Sequence, residues 1–511
     1  MIYKLSADIK MKGAAMHRLY TSTRNNKLSL SASECILKGL SDDGGLFVPA
    51  QLQSVRFSID ELAGMDYRQL AQTILSSYLD DFSDDQTEIC VSRAYNTDNF
   101  GTDEIFPLVH KDGFSILELF TGRTLAFKDA ALSLLPHLMS CAKDNTGESR
   151  KITILTATSG DTGKAALEGF RGAEGIDVIV FYPYKGVSDL QLLQMLTQEG
   201  SNVFAFAFSG NFDDTQTAVK NVFSDTGFAE ELDKSGIMLS SANSINIGRL
   251  LPQIVYYYYA YIKLLSSGRI KAGEKINFAV PTGNFGNILA GYYAKMSGLP
   301  INMLICASND NNVLSDFFTD GTYDSTREFR RTISPSMDIL VSSNLERLIY
   351  EILDRDSQKT AEIMACHKES GSCALDFSSE IFNGFAGGFA SEDEIRSSLK
   401  DAYQNEGYLF DTHTACAYKV YKDYIKKTGD NSYTVILSTA SPFKFAEDVY
   451  KPIFSGDAGD EQSYIKMLSG KTGICIPDVI KGIENLPRAE ERIVSSENIT
   501  QIIKMAISRE L

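Results

Sequence analysis

Between Lys151 and Ala307 the chain alternates two kinds of apolar pattern. Short runs rich in Val, Ile and Phe occupy 152–156, 178–182, 203–208, 238–242, 276–280 and 301–307. Stretches with apolar residues at helical spacing fall between them, at 164–170, 189–198, 215–223, 247–265 and 287–296. Strands separated by helices of that length predict a parallel sheet covered on both faces, an α/β class. An earlier apolar run, Phe114 to Leu117, and a late one, 433–437, extend the strand inventory.

The segments on either side follow another rhythm. Residues 1–105 read as an α-rich leading domain. Ser31 caps a helix, with Glu34 three residues on and Ile36, Leu37 and Leu40 behind it. Asp42-Asp43-Gly44-Gly45 ends it, Leu46-Phe47-Val48-Pro49 is extended, and a further helix is predicted over 67–79. Residues 106–308 with 406–445 form the interleaved α/β domains, 309–405 a helical elaboration, and 446–511 closing helices. Tyr256-Tyr257-Tyr258-Tyr259 with Tyr261 covers every face of a helix, which indicates burial or an interface more than a cofactor box.

A chain of 511 residues with 43% hydrophobic and 23% charged residues supports two or three ordinary globular domains. The net charge of −17 excludes general nucleic-acid and anionic-membrane binding, so an anionic ligand needs a local site. Eight scattered cysteines without zinc spacing read as free thiols, and five distant histidines give a metal site nothing to build on. The polar opening to Lys12 has no signal-peptide core, and no apolar run reaches membrane-spanning length, so a cytoplasmic location is expected.

Chemistry gathers first at Glu118-Leu119-Phe120-Thr121-Gly122-Arg123-Thr124-Leu125-Ala126-Phe127-Lys128-Asp129, which leaves a strand, turns at Gly122 and delivers a lysine to a helix predicted over 130–138. Apolar neighbours on both sides of Lys128 favour burial, which favours the neutral amine that attacks carbonyls. Read alone, the same residues also fit a lysine snorkelling from a first helical turn with Asp129 as a favourable acid.

Three loops at predicted strand ends add to it, where open α/β sheets take their ligands. In Pro281-Thr282-Gly283-Asn284-Phe285-Gly286-Asn287, glycines let backbone N–H groups converge at a helix start, a natural phosphate seat. Thr158-Ser159-Gly160-Asp161-Thr162-Gly163-Lys164 fails as a P-loop, since Thr158 stands at the first glycine and Ala165 at the Ser/Thr position. It remains a hydroxyl-rich turn suited to a carboxylate. In Ser241-Ala242-Asn243-Ser244-Ile245-Asn246-Ile247-Gly248-Arg249, an arginine in a first helical turn opposes the dipole, and calls for either a neighbouring carboxylate or a bound anion.

With these residues assembled, the sequence resembles threonine synthases from Tyr20 onward, pyridoxal-phosphate enzymes of the tryptophan-synthase β-subunit fold group. Tyr20-Thr21-Ser22-Thr23-Arg24, the stretch 42–49, Thr124 to Asp129, Ala157 to Gly163 and Gly283 to Asn287 carry the likeness. The resemblance implies parallel-sheet domains covered by helices and a pyridoxal 5'-phosphate cofactor bonded to Lys128, which also moves protons. It implies that Gly283, Asn284, Phe285, Gly286 and Asn287 hold the cofactor phosphate, with Thr439 facing the pyridine nitrogen. It assigns the substrate to Thr158, Ser159, Asp161, Thr162, Asn243, Ser244 and Arg249. The implied substrate is O-phospho-L-homoserine, converted with water to L-threonine and phosphate. Another lyase of the same group, acting on a phosphorylated or hydroxy amino acid, and a non-catalytic ligand-binding relative are the alternatives. The chain departs from the family pattern at Arg123, Ile247 and Ser441, and in Asp411-Thr412-His413-Thr414-Ala415, where threonine stands in place of proline.

Overall fold

The structure, a computed structural model, describes residues 20–52 and 55–510, the side chain of Asp213 apart. The polar start and its methionines Met11 and Met16 lie outside the described residues. Two parallel sheets, rather than one, carry the α/β region. The larger runs Phe385–Phe389, Ile301–Ser308, Ile276–Pro281, Thr434–Ser438, Phe114–Glu118, Leu108–His110, with only the last strand antiparallel. The smaller runs Ile493–Val494, Val203–Phe208, Ile176–Pro183, Lys151–Ala157, Ile237–Ser240, all parallel. Ile176–Pro183 and Thr434–Ser438 are buried along their whole length, which explains why their sequences are continuous apolar runs without alternation.

The predicted elements recur with small boundary shifts, and the differences have local causes. The helix expected over 130–138 is broken into Asp129–Leu132 and Leu135–Thr146, because Pro136 lacks an N–H and fits only a first turn. The helical segment after residue 308 also contributes an edge strand, Phe385–Phe389, hidden by the Gly387-Gly388 pair in its centre. A Cβ on Gly387 would lie 2.5 Å from the Ser315 carbonyl oxygen, and one on Gly388 2.6 Å from Val420, so those glycines mark close packing, not a turn. Likewise the closing helices Ala446–Phe454, Glu461–Thr472 and Ile499–Ser508 are joined by a two-residue strand, Ile493–Val494. The leading region pairs its helices with a three-stranded antiparallel sheet, Asn25–Leu30, Tyr20–Ser22 and Phe47–Pro49. Ser31 and Glu34 form the expected reciprocal cap on Ala32–Lys38.

The helix Ile247–Ser266 lies in the middle of the molecule, and all five of its tyrosines are buried. Tyr67 of the leading region meets Tyr259 edge-to-face at 5.3 Å, with Tyr95 and Phe106 completing the cluster. All eight cysteines are free. Among the described residues no helix is long and apolar enough to cross a membrane, and no cluster of His, Cys, Asp and Glu is placed to hold a metal.

Candidate active site

The lysine loop is built by short-range bonds. Leu119 N–H donates to the Ser438 carbonyl at 2.9 Å as the chain leaves the sheet, and Phe127 N–H donates to that of Thr439 at 2.8 Å. Asp129 does not serve as a solvated first-turn acid. It is buried and accepts from the Thr124 N–H at 2.8 Å and hydroxyl at 2.6 Å, closing the turn from inside. Burial pushes its carboxyl up to about 6 against those two bonds. Gly122 is required there, since a Cβ would stand 2.4 Å from an Asp129 oxygen. Lys128 then projects inward. Burial pulls its amine below the ordinary lysine range; Asp161 opposes that, and Lys444 and Arg249 reinforce it.

Lys128 shares one cavity with Thr162, Ser244, Arg249, the whole loop Gly283–Asn287, and Thr439. Of the residues singled out in the sequence, Thr158, Ser159, Asp161 and Asn243 are not in its lining. Thr158 is turned inward as a brace, its hydroxyl oxygen accepting from the N–H groups of Gly160 and Gly163 at 2.9 Å each. Asp161 reaches the site through Lys128, whose Nζ lies 3.4 Å from its Oδ2. Sequence reasoning missed Phe127, Gln253, Ser336, Met337 and His413, which also line the cavity. Ser336 and Met337 lie in a segment without apolar periodicity. His413 was noted only as part of a departure. Its Nε2 accepts from the Ser336 N–H at 3.1 Å, so the ring proton sits on Nδ1 and is given to Asp411 at 2.9 Å.

Two features of this cavity call for anions. The helix Gly286–Met296 starts with no side-chain cap, its preceding residue Phe285 in the left-handed region at φ 63°. Its first N–H groups therefore have no intrahelical partner and face the loop. Asn287 is fixed by its oxygen: Tyr256 donates to Oδ1 at 2.6 Å and Tyr257 reaches it at 3.0 Å, leaving the buried Nδ2 without a partner. Gly283 lies so close under the next segment that a Cβ would meet the Ser336 carbonyl at 2.4 Å. A phosphate-tailed cofactor fits these groups: uncapped N–H donors, an unpartnered amide, and a lysine displaced toward its neutral form.

The second feature is Arg249. The helix it opens is already capped, by the Asn246 side chain accepting from the Gly248 N–H, so the helix end itself is not an anion seat. The guanidinium is 3% exposed, donates from Nη1 to the Ala242 carbonyl at 2.7 Å, and leaves Nε unbonded. Among the described residues the expected alternative, a carboxylate partner for Arg249, is not found. Burial alone lowers its ordinary value to about 10. The nearby Asn243 Oδ1 is also unpartnered.

The departures lie off this cavity. Arg123 turns outward to Glu168 at 3.6 Å, Ile247 is packed in the core, both threonines of the stretch 411–415 are buried, and Ser441 accepts from the Phe443 N–H.

Residues 19–95, 111–440 and 414–507 match, in turn, the family descriptions "Threonine synthase N terminus", "Pyridoxal-phosphate dependent enzyme" and "Threonine synthase, C-terminal". A human protein described as threonine synthase-like 1 is 40% identical over 438 residues, 82% of this chain; the chain spans 58% of that relative's length. A threonine synthase of Pseudomonas aeruginosa is 37% identical over 84% of this chain and 90% of its own. The crystal structure of a PLP-bound threonine synthase from Brucella melitensis superposes with a TM-score of 0.83 at 35% identity, covering 96% of this chain and 99% of that one.

Proposed function

The chain belongs to the threonine synthase family of pyridoxal-phosphate-dependent enzymes, and on that premise we propose that it converts O-phospho-L-homoserine and water to L-threonine and phosphate. The observation that carries the reading is the unpaired, buried Arg249 in the same cavity as Lys128 and the uncapped Gly283–Asn287 loop. One anion, the cofactor's phosphate, satisfies the loop. The arginine asks for a second, which a phosphorylated substrate brings.

In this reading Gly283, Asn284, Phe285, Gly286 and the Asn287 amide hold the cofactor phosphate, Thr439 offers a neutral hydroxyl to the ring nitrogen, and Lys128 bonds the aldehyde. The cofactor supplies an electron sink for charge developing on the amino acid's carbon chain. Arg249, Ser244 and Thr162 grip the substrate phosphate, orient the bond that breaks and stabilise the departing charge. Lys128 would take and return protons at Nζ, a task suited to an amine held below its ordinary range. Residues of the turn 157–163 hold the substrate carboxylate through the N–H groups of Asp161 and Thr162 at the start of the helix Asp161–Gly169, the ones that Thr158 leaves open.

The test is stoichiometric release of phosphate and L-threonine from O-phospho-L-homoserine, with homoserine and L-threonine as control substrates. Lys128→Ala should fold, lose the visible absorbance of bonded cofactor and fall at least about 1,000-fold in turnover. Wild-type threonine formation by that variant would overturn the assignment. A 2-oxo acid in place of threonine would select the second reading, a lyase that eliminates phosphate without adding water back.

A further inference from the structure

Three buried charges run out from the cavity wall, and the chemistry above uses only the innermost. Lys444, in the turn Pro442–Phe445 beyond the strand Thr434–Ser438, is buried to 1% exposure although it carries an ammonium. Its Nζ lies 2.5 Å from Asp161 Oδ1 and 3.0 Å from the Thr124 carbonyl oxygen. Asp161 in turn accepts from Gln191 Nε2 at 2.9 Å and Ser336 Oγ at 3.1 Å, and its Oδ2 stands 3.4 Å from Lys128 Nζ. Two lysines therefore share one carboxylate, and the sharing is unequal. Lys444 holds the shorter contact and a second acceptor at 3.0 Å, while both contacts of Lys128 are long, 3.4 Å to Asp161 and 3.5 Å to Ser336 Oγ.

A buried carboxylate with four donors around it is fixed in position and can balance one positive charge. We propose that Lys444 is a positioning residue that pins Asp161 and claims its negative charge, so that Lys128 is the lysine of the pair that gives up its proton. The inference rests on the cofactor-bonding role proposed for Lys128. The charges facing Lys128 are Asp161, Lys444 and Arg249, with His413 in the same cavity lining; those facing Lys444 are Asp161, Lys128, Asp129 and Lys164. Asp161 behaves accordingly. Burial alone would raise its carboxyl, but Lys444 first and Lys128 second hold it well below the usual range.

The test uses the cofactor-free full chain. Pulsed reductive methylation across pH, read by mass spectrometry at the peptide carrying Lys128, gives the midpoint at which that amine becomes reactive. Lys444→Gln keeps donors for Asp161 and Thr124 but removes the charge. It should raise the Lys128 midpoint by about one pH unit and slow capture of pyridoxal phosphate at neutral pH about tenfold. Lys444→Arg should leave the midpoint within a few tenths of a unit. Asp161→Asn, which leaves both lysines without a counter-charge, should lower it. An unmoved midpoint in folded Lys444→Gln, or a rise in Asp161→Asn, overturns the proposal. If the underlying reading of Lys128 fails instead, Lys128→Ala will capture the aldehyde as fast as wild type while the midpoint shifts stand.

Discussion

At the scale of single residues, the site is assembled from groups that weaken the fold unless a ligand arrives. Arg249 is the clearest case, a desolvated guanidinium that has one backbone acceptor and no carboxylate among the described residues. A buried charge left unpaired costs stability, and its replacement by an apolar side chain of similar length is commonly neutral or favourable. Arg249→Met is therefore expected to leave the ligand-free protein as stable as wild type, or more stable by about 1 kcal/mol, in thermal unfolding. The same change removes charge-assisted bonds worth about 1.5–3 kcal/mol, raising KM for O-phospho-L-homoserine on the order of 100-fold with cofactor retention unchanged. A destabilised variant with normal KM would make the arginine structural. The sequence made Arg249 legible because a cation in a first turn is an anomaly. It could not make Lys444 or Asp161 legible as partners, because their contact joins residues far apart in the chain and neither has an odd neighbourhood. Thr158 shows the converse. Its hydroxyl invited a ligand role, yet the turn's own N–H groups already occupy it.

At the scale of elements, most strand and helix types were readable from apolar spacing, and two of the misread ones, the strand Phe385–Phe389 and the helix broken before Pro136, carry glycine or proline used for packing. The two glycines of the loop Gly283–Asn287 do different work. Gly283 is pressed against the Ser336 carbonyl, and the loop is strapped by Ser342 Oγ donating to the Gly283 carbonyl at 2.8 Å and Asn344 N–H to that of Asn284 at 3.1 Å. Around Gly286 a Cβ would meet nothing nearer than Asn344 Nδ2 at 3.5 Å, an ordinary contact. In the cofactor-free protein, Gly283→Ala should cost about 1–3 kcal/mol by forcing two strapped segments apart, while Gly286→Ala should be neutral or slightly stabilising at a helix start. Differential scanning calorimetry of the two variants decides it, and equal losses would refute the packing account. The tyrosine run in Ile247–Ser266 was readable as buried, but not for its purpose. Tyr256 and Tyr257 turn the Asn287 amide so that its donor end is free, a consequence of how two helices cross and not of local pattern.

At the scale of the whole molecule, one fully buried guanidinium joins the leading region to two loops of the site at once. Arg347, in the helix Leu345–Ile352, donates from Nε to the Phe47 carbonyl at 2.9 Å and from Nη2 to that of Ile245 at 2.6 Å. Its Nη1 bonds the Asn344 side-chain oxygen, and Asn344 itself secures the Asn284 carbonyl. One planar fork thus joins the leading sheet, the loop holding Ser244 and the loop Gly283–Asn287, and burial lowers its ordinary value to about 10. Beside it, Glu346 accepts from Thr23 at 2.6 Å and from both Arg24 nitrogens, at 2.9 and 2.8 Å, on the half-buried rim. Nothing in Leu345-Glu346-Arg347-Leu348 distinguishes these charges from an exposed helical pair, so this wiring was not legible. Lysine cannot reproduce a three-way fork, and each acceptor it abandons is left in a dry interior. Arg347→Lys should therefore lower stability by roughly 3 kcal/mol and weaken both cofactor and substrate-phosphate binding, although it touches neither ligand. Arg24→Ala, nearer solvent, should cost about 1 kcal/mol and leave both affinities alone. Unfolding midpoints with paired titrations of pyridoxal phosphate and inorganic phosphate separate the two. A loss of stability in Arg347→Lys without any loss of affinity would mean that the leading region supports the fold but not the site.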